Sequence, residues 1–453
     1  MAFWNARLRA SLLLAAVLAA YANAFGGSFQ FDDYNVIVHQ GAVHSLAAWW
    51  DSMPGIRPLL KLSYALSWRA GGGTAAFHAV NVALHAANAL LVWALLAELW
   101  QRLQVGEARF AAFAGALLFA LHPAHTEAVT YISGRSVSLM AFFYLASLLA
   151  YARGARAWVS PTLFLAALAT KEVAVTLPFA LLLWEALDAR RPFDLREALR
   201  RQAAHWLVLV AGIALMAGVA RYREMLEASL ALRSFGEQAL LQIGAVARLA
   251  GLLVLALPPN IDPEVQASAP VGAAVLAATI AVGCVLLRRQ PWFAFALLWF
   301  FLHLAPTNSL LPRLDAVNDR QLYLASIGPL ALAGLALASL PKLRVTLIVV
   351  LGLGLGYATV MRNQDYRSEV ALWSDTVRES PGSARAFNNL GYAYQLEGRQ
   401  GEACLAYERA LQLDPHHLQS RINLLELKCS PAPRLPGASF RDFQVGVHAR
   451  LPG

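Results

Sequence analysis

Residues 11–33 read SLLLAAVLAAYANAFGGSFQFDD, an apolar run from Ser11 to Phe25 that ends shortly before two adjacent carboxylates, Asp32 and Asp33. A segment of this length and composition is a membrane span, preceded here by Arg7 and Arg9, which mark the cytoplasmic end of a helix. Carboxylates are costly at bilayer depth, so a pair at the far end of such a helix is either a solvated flank or a placed acid/base group. The run ending Ala22-Asn23-Ala24 also fits a cleavable signal peptide, but either reading puts the residues after it on the outer side.

The rest of the chain repeats the pattern. Of 453 residues, 58% are hydrophobic and 14% charged, and the mean hydropathy is +0.49. That is too apolar for a soluble domain and places the chain among polytopic helical membrane proteins. Candidate spans fall near 8–25, 77–99, 110–128, 136–152, 157–170, 173–187, 203–220, 270–287, 291–306, 322–340 and 343–361, about eleven crossings. The net charge of +9 comes from arginines clustered in short loops between apolar runs, the signature of cytoplasmic loops rather than of a nucleic-acid surface. With Arg7 and Arg9 inside, the loops carrying Arg102 and Arg109, Arg153 and Arg156, Arg190 to Arg201, Arg288-Arg289 and Lys342 to Arg344 all fall inside as well. Ala239 to Leu257 is long enough to cross but carries Arg248, and counting it would put Arg288-Arg289 outside, so it reads as re-entrant or interfacial. Three cysteines, Cys284, Cys404 and Cys429, have no metal-ligand spacing and indicate no disulfide framework, although Cys404 and Cys429 could pair.

This bookkeeping gathers Asp32, Asp33, Arg57, Lys61, His122, His125, Glu127, Arg135, Lys171, Glu172, Asp262, Asp315, Asp319 and Arg320 on the outer face, together with the C-terminal region. Acidic and basic groups converging beside apolar helices mark a reaction site or a polar pathway. His78, Asn81, His85 and Asn88 lie at helical spacings along the second span and read as bonds between helices. Trp93, Trp184 and Trp299 read as lipid-facing or interfacial.

From Ala384 the chain fits one tetratricopeptide repeat, residues 384–417, with Phe387, Leu390, Gly391, Tyr394, Ala403, Tyr407, Ala410 and Pro415 at the signature positions. Glu369 to Pro381 and Leu418 to Lys428 look like half repeats on either side. The expected organisation is therefore a transmembrane domain over 1–361, a repeat region over 362–429 and a Pro/Gly-rich, loosely ordered tail over 430–453.

Several segments now line up in order: Phe31-Asp32-Asp33-Tyr34, Arg57-Pro58-Leu59, Phe77-His78 to Asn88, His122-Pro123-Ala124-His125-Thr126-Glu127, Tyr131-Ile132-Ser133-Gly134-Arg135-Ser136, Lys171-Glu172, Asp319-Arg320-Gln321-Leu322-Tyr323, and Trp373 leading into the repeat. This order resembles the transmembrane and tetratricopeptide repeat-containing O-mannosyltransferases and their bacterial relatives, of the GT-C glycosyltransferase superfamily. The resemblance implies an all-α, GT-C-type membrane domain with its active site on the outer side, a polyprenyl-phosphate-linked sugar donor, mannose being the simplest choice, and a protein Ser or Thr hydroxyl as acceptor. The array is shorter than in eukaryotic members, and 221–238 departs from them. Localisation in a bacterial inner membrane, with site and repeat in the periplasm, is the expectation, and an endoplasmic reticulum membrane would give the same topology.

Sugar transfer from a lipid phosphate needs a base at the acceptor hydroxyl and cations at the departing phosphate. Asp32 and Asp33 are the catalytic candidates, the resemblance implying an acidic residue at the end of the first helix. Arg57, Arg135, Lys171 and Arg320 are candidates for the donor phosphate. His122, His125, Glu127, Glu172 and Asp319 are candidates for positioning donor or acceptor. His122, His125 and Glu127 could also ligate a divalent metal, and no other cofactor is called for. Alternatives are transfer to a lipid or glycan acceptor, and a non-catalytic scaffold whose repeat recruits a protein partner.

Overall fold

The computed structural model describes residues 5–429 apart from 54, 189–191, 255–256, 266–269, 310, 311 and 314; the tail 430–453, Arg190 and Arg191 lie outside the described residues. Every regular element among the described residues is helical. The chain divides into two compact units, Met1–Glu379 and Ser380–Gly453.

In the first unit five helices are long and apolar enough to cross a membrane: Ala6–Gly26, Thr74–Arg102, Ile132–Ala152, Phe235–Val254 and Arg344–Asp365. Two bent pairs, Leu195–Arg201 with Ala203–Gly218 and Asp319–Ala325 with Ile327–Ala338, would raise that to seven. Shorter apolar helices cover Ala108–Leu121, Val159–Leu168, Val271–Leu286 and Pro291–Leu304. The expected segments are thus helices, but several are too short to cross alone.

Phe235–Val254, the segment that reads as re-entrant or interfacial, is one continuous helix of spanning length. Its mid-way cation is provided for: Arg248 Nη2 donates to the Pro258 carbonyl at 3.2 Å and lies 3.9 Å from the Asp319 carboxylate.

Apolar helices gain little from excluding lipid, so close packing and internal hydrogen bonds hold them together. A Cβ on Gly334 would lie 2.5 Å from the Ala111 carbonyl oxygen and 2.6 Å from the Gly115 nitrogen, so the Ile327–Ala338 and Ala108–Leu121 helices approach backbone to backbone. Polar side chains of the second span complete the joints. His85 reaches the Tyr323 hydroxyl at 2.7 Å and the Ala120 carbonyl at 3.0 Å, and the Asn88 amide donates to the Ser138 carbonyl at 2.8 Å. Trp184 and Trp299 are not lipid-facing: both are buried, and Trp299 donates its indole N–H to the Leu324 carbonyl at 2.7 Å. Helix Glu369–Glu379 belongs with this unit, with Trp373 edge-on to Phe31 at 5.3 Å and Arg362 paired to Asp375.

The second unit holds helices Ala384–Leu396, Gln400–Leu413 and Leu418–Glu426. Ser383 caps the first, its hydroxyl accepting the Ala386 N–H at 3.1 Å. A Cβ on Gly391 would sit 2.7 Å from the Tyr407 ring, which is why this position needs glycine for the two helices to meet. Cys404 and Cys429 are disulfide-bonded, tying the second helix to the end of the third. The sequence allows this pairing without indicating a framework, and the fold brings the two positions, 25 apart, together.

Closing a loop of that length constrains the unfolded chain by about 3 kcal/mol. Under non-reducing denaturation, a thiol-alkylating reagent is therefore expected to add one label per chain, at the exposed Cys284, and three after reduction. Three labels without reduction would show the bridge is not formed.

Candidate functional site

The first helix passes through a 3₁₀ turn, Ala22–Gly26, into the Asp32-Asp33 segment. Gly27 lets it through: a Cβ there would be 3.0 Å from the Tyr366 carbonyl and 3.1 Å from His78 Nε2. Asp33 is fully buried, and its carboxylate accepts the backbone N–H of Gln30 at 3.0 Å and of Ser133 at 2.8 Å. It fastens the loop to the Ile132–Gly134 turn. Burial raises its carboxyl to about 7 against the lowering effect of those two donors. Asp32 is half-buried; its backbone N–H donates to the Tyr131 hydroxyl at 2.9 Å, and its carboxylate lies within the electrostatic reach of the Arg320 guanidinium. The two adjacent carboxylates thus occupy different environments.

Arg320 is set by Glu127. Pro123 ends the Ala108–Leu121 helix, and the short turn Thr126–Val129 presents Glu127, whose carboxylate accepts the Arg320 backbone N–H at 2.9 Å and pairs with its guanidinium at 3.4 Å. Burial raises the Glu127 carboxyl to about 7 although Arg320 opposes the shift. Gly134 permits this turn, because a Cβ there would overlap the Glu127 carbonyl oxygen at 2.1 Å. Asp319 looks the other way, accepting the Asn260 N–H at 2.6 Å.

Arg57 occupies a left-handed conformation, φ +49°, immediately before the Pro58–Arg69 helix. Its guanidinium grips Glu172 in a fork, with Nε at 3.0 Å and Nη2 at 2.8 Å, and the Tyr222 hydroxyl donates to the same carboxylate at 2.8 Å. Although burial alone would raise it, Arg57 brings the Glu172 carboxyl down to about 2. Beside them Lys171 reaches the Ser136 hydroxyl at 3.3 Å. Burial, then Arg320, Arg57 and Arg313, push its ammonium well below the usual lysine range, with Glu172 opposing. Lys171, Arg313, Arg320, His303 and Thr307 line one small cavity of about 30 Å³. Arg313 was not singled out in the sequence. It sits in a loop held by the Phe235–Val254 helix, where Gln238 donates to the Ser309 carbonyl at 3.2 Å and Gln242 to that of Ala316 at 3.0 Å.

The structure therefore brings Arg57, Lys171, Glu172, Glu127, Arg320 and Asp32 into one neighbourhood and keeps Arg135 out of it. Arg135 is fully buried with four of its five N–H donors spent on Asn81 Oδ1 at 2.7 Å, the Ser63 carbonyl at 3.0 Å, Ser67 Oγ at 2.9 Å and the Phe77 carbonyl at 2.9 Å. That guanidinium clamps helices and has no fork left for a phosphate. His122, His125 and Glu127 do not form a ligand set either. His125 directs its nitrogens to the Phe119 carbonyl at 2.8 Å and the Ser326 hydroxyl at 3.0 Å, and Nδ1 of His122 accepts the Ala124 N–H at 3.2 Å. Among the described residues no three His, Cys, Asp or Glu side chains are grouped to hold a metal ion.

Residues 384–417 match the tetratricopeptide repeat family. Protein O-mannosyl-transferase TMTC4 of Homo sapiens is 30% identical over 212 residues, which are 38% of this chain and 28% of that protein. Protein O-mannosyl-transferase Tmtc2 of Drosophila melanogaster is 35% identical over 204 residues, 38% of this chain and 20% of that protein. Protein O-mannosyl-transferase F38B6.6 of Caenorhabditis elegans is 23% identical over 448 residues, 90% of this chain and 63% of that protein. The chain is similar to the protein O-mannosyl-transferases. It spans under a third of the length of the human and fly relatives and under two thirds of the nematode one. No solved structure matches.

The depressed Glu172 carboxyl fixes the sign of a pH test. Its contribution is complete above the ordinary range near pH 4.5 and is lost only as pH falls through about 2. The drop in melting temperature caused by Glu172→Gln is thus expected to be constant from pH 6 to 9. A drop that shrinks towards pH 6 would mean that Arg57 does not hold this carboxylate ionised.

Proposed function

We propose that this protein is a membrane glycosyltransferase that moves a sugar, mannose in the simplest case, from a polyprenyl-phosphate donor to a Ser or Thr hydroxyl of a protein on the outer side of the membrane. The observation that carries the reading is the position of Asp32, a partly accessible carboxylate within reach of Arg320, which itself belongs to a cluster of four cations with Arg57, Lys171 and Arg313. The names of its relatives supply the sugar and the class of acceptor.

In this reading Asp32 takes the proton of the acceptor hydroxyl as its oxygen attacks the anomeric carbon. The bond from that carbon to the phosphate oxygen breaks, and the lipid phosphate leaves with its charge answered by the cation cluster. Asp33 acts through Asp32: it fixes the loop by its two backbone hydrogen bonds. Glu127 aims Arg320, and Glu172 aims Arg57. The repeat at 384–417 would engage the acceptor protein. The Cys404–Cys429 disulfide supports an oxidising compartment, either periplasm or endoplasmic reticulum lumen, for that repeat.

With purified protein, a polyprenyl-phosphate sugar and Ser/Thr peptides, Asp32→Asn is expected to lower the transfer rate by about 100-fold or more, while donor binding persists. Asp33→Asn should instead lower the melting temperature along with activity. Full transfer by Asp32→Asn would remove it as the base, and transfer only to lipid or glycan acceptors would replace the protein acceptor.

A further inference from the structure

The helix that begins at Arg135 and the one that follows the Lys171 turn bound a second polar site at their other ends. Where Arg135–Ala152 and Leu177–Ala186 end and Leu195–Arg201 begins, they border a cleft of about 550 Å³, much the larger of two cavities among the described residues. Arg102, Arg156, Trp184 and His205 line it along with four carboxylates. The carboxylates are already answered. Glu185 takes Arg201 and the Tyr151 hydroxyl, Glu197 takes Arg201, Asp188 takes Arg102 at 2.9 Å, and Asp194 caps the backbone N–H groups of Arg196 and Glu197 at 2.8 and 3.2 Å.

Some of the N–H groups are not. The Trp184 indole N–H is buried without a partner in a side chain that is 2% exposed, and the Arg102 Nε–H beside it is likewise unmet. Arg156 makes no ion pair among the described residues, and Arg102 lies over the Trp184 ring at 5.5 Å. Buried donors are paired in nearly all folded proteins, so two unmet ones just behind the wall of a cleft, on residues that line it beside an uncommitted guanidinium, point to an acceptor-rich ligand. The surroundings say where it comes from. Phe193 lines the cleft, and Trp158 and Leu195, one residue beyond its lining, are 63% and 51% exposed, the aromatic and apolar fringe of a membrane interface.

We infer that this cleft seats the phosphodiester headgroup of a membrane phospholipid, held by Trp184, Arg102 and Arg156. The inference is independent of the sugar-transfer reading, since it uses none of the same side chains.

The test uses delipidated full-length protein and native mass spectrometry. Phosphatidylglycerol and phosphatidylethanolamine are expected to be retained, and digalactosyldiacylglycerol, which lacks phosphate, is not. Combining Arg156→Gln with Trp184→Phe should weaken phospholipid retention about tenfold. Arg156→Gln alone should lower it by part of that and leaves the core untouched if the double variant misfolds. Equal retention by Arg156→Gln, or equal retention of the phosphate-free lipid, would overturn the inference. Displacement of bound lipid by an equal concentration of soluble glycerol phosphate would also do so, by making the cleft a site for a free phosphate.

Discussion

A half-buried lysine ammonium among arginines is the constraint on which the rest of this molecule turns. Lys171 has a hydroxyl for its nearest partner, and Arg320, Arg57 and Arg313 all act to discharge it. Like charges are brought this close only where a fold is rigid enough to hold them or where an anion will arrive between them. The carboxylates that make the cluster tolerable, Glu172 on Arg57 and Glu127 on Arg320, reach it from separate elements, and each of those elements is fixed by a backbone device. Pro123 ends a helix, Gly134 admits a turn that any side chain would block, and the Arg57 backbone turns left-handed.

The contrast between neighbours in sequence is the second theme. Asp32 and Asp33 are adjacent, yet one is buried on two backbone amides and the other stays partly open beside Arg320. Arg135 and Lys171 are both cations near helix starts, yet Arg135 is spent on helix joints while Lys171 faces the cavity. Each pair separates into a residue that builds the site and one left to use it.

Much of this was legible in the sequence. Apolar runs gave the helices, because length and hydropathy are local properties, and the repeat at 384–417 was plain from its spacing. The polar ladder on the second span read correctly as bonds between helices, since His85 and Asn88 reach Tyr323 and neighbouring carbonyls. What failed depended on pairing at a distance. Arg135 looks like a phosphate ligand until Asn81, Ser63 and Ser67 are known to surround it. Arg313 lies in a loop with no periodicity to place it, and Trp184 and Trp299 are as apolar inside a bundle as they would be on its surface.

The most direct measurement is the structure of the protein with a non-transferable phosphonate analogue of a polyprenyl-phosphate sugar. The account predicts phosphonate oxygens within about 3 Å of Lys171 and at least one of Arg313 and Arg320, hydrogen-bonding distance for a charged pair, with the anomeric carbon turned towards Asp32. An analogue bound elsewhere, with those cations still facing one another and Asp32 remote from the sugar, would contradict it.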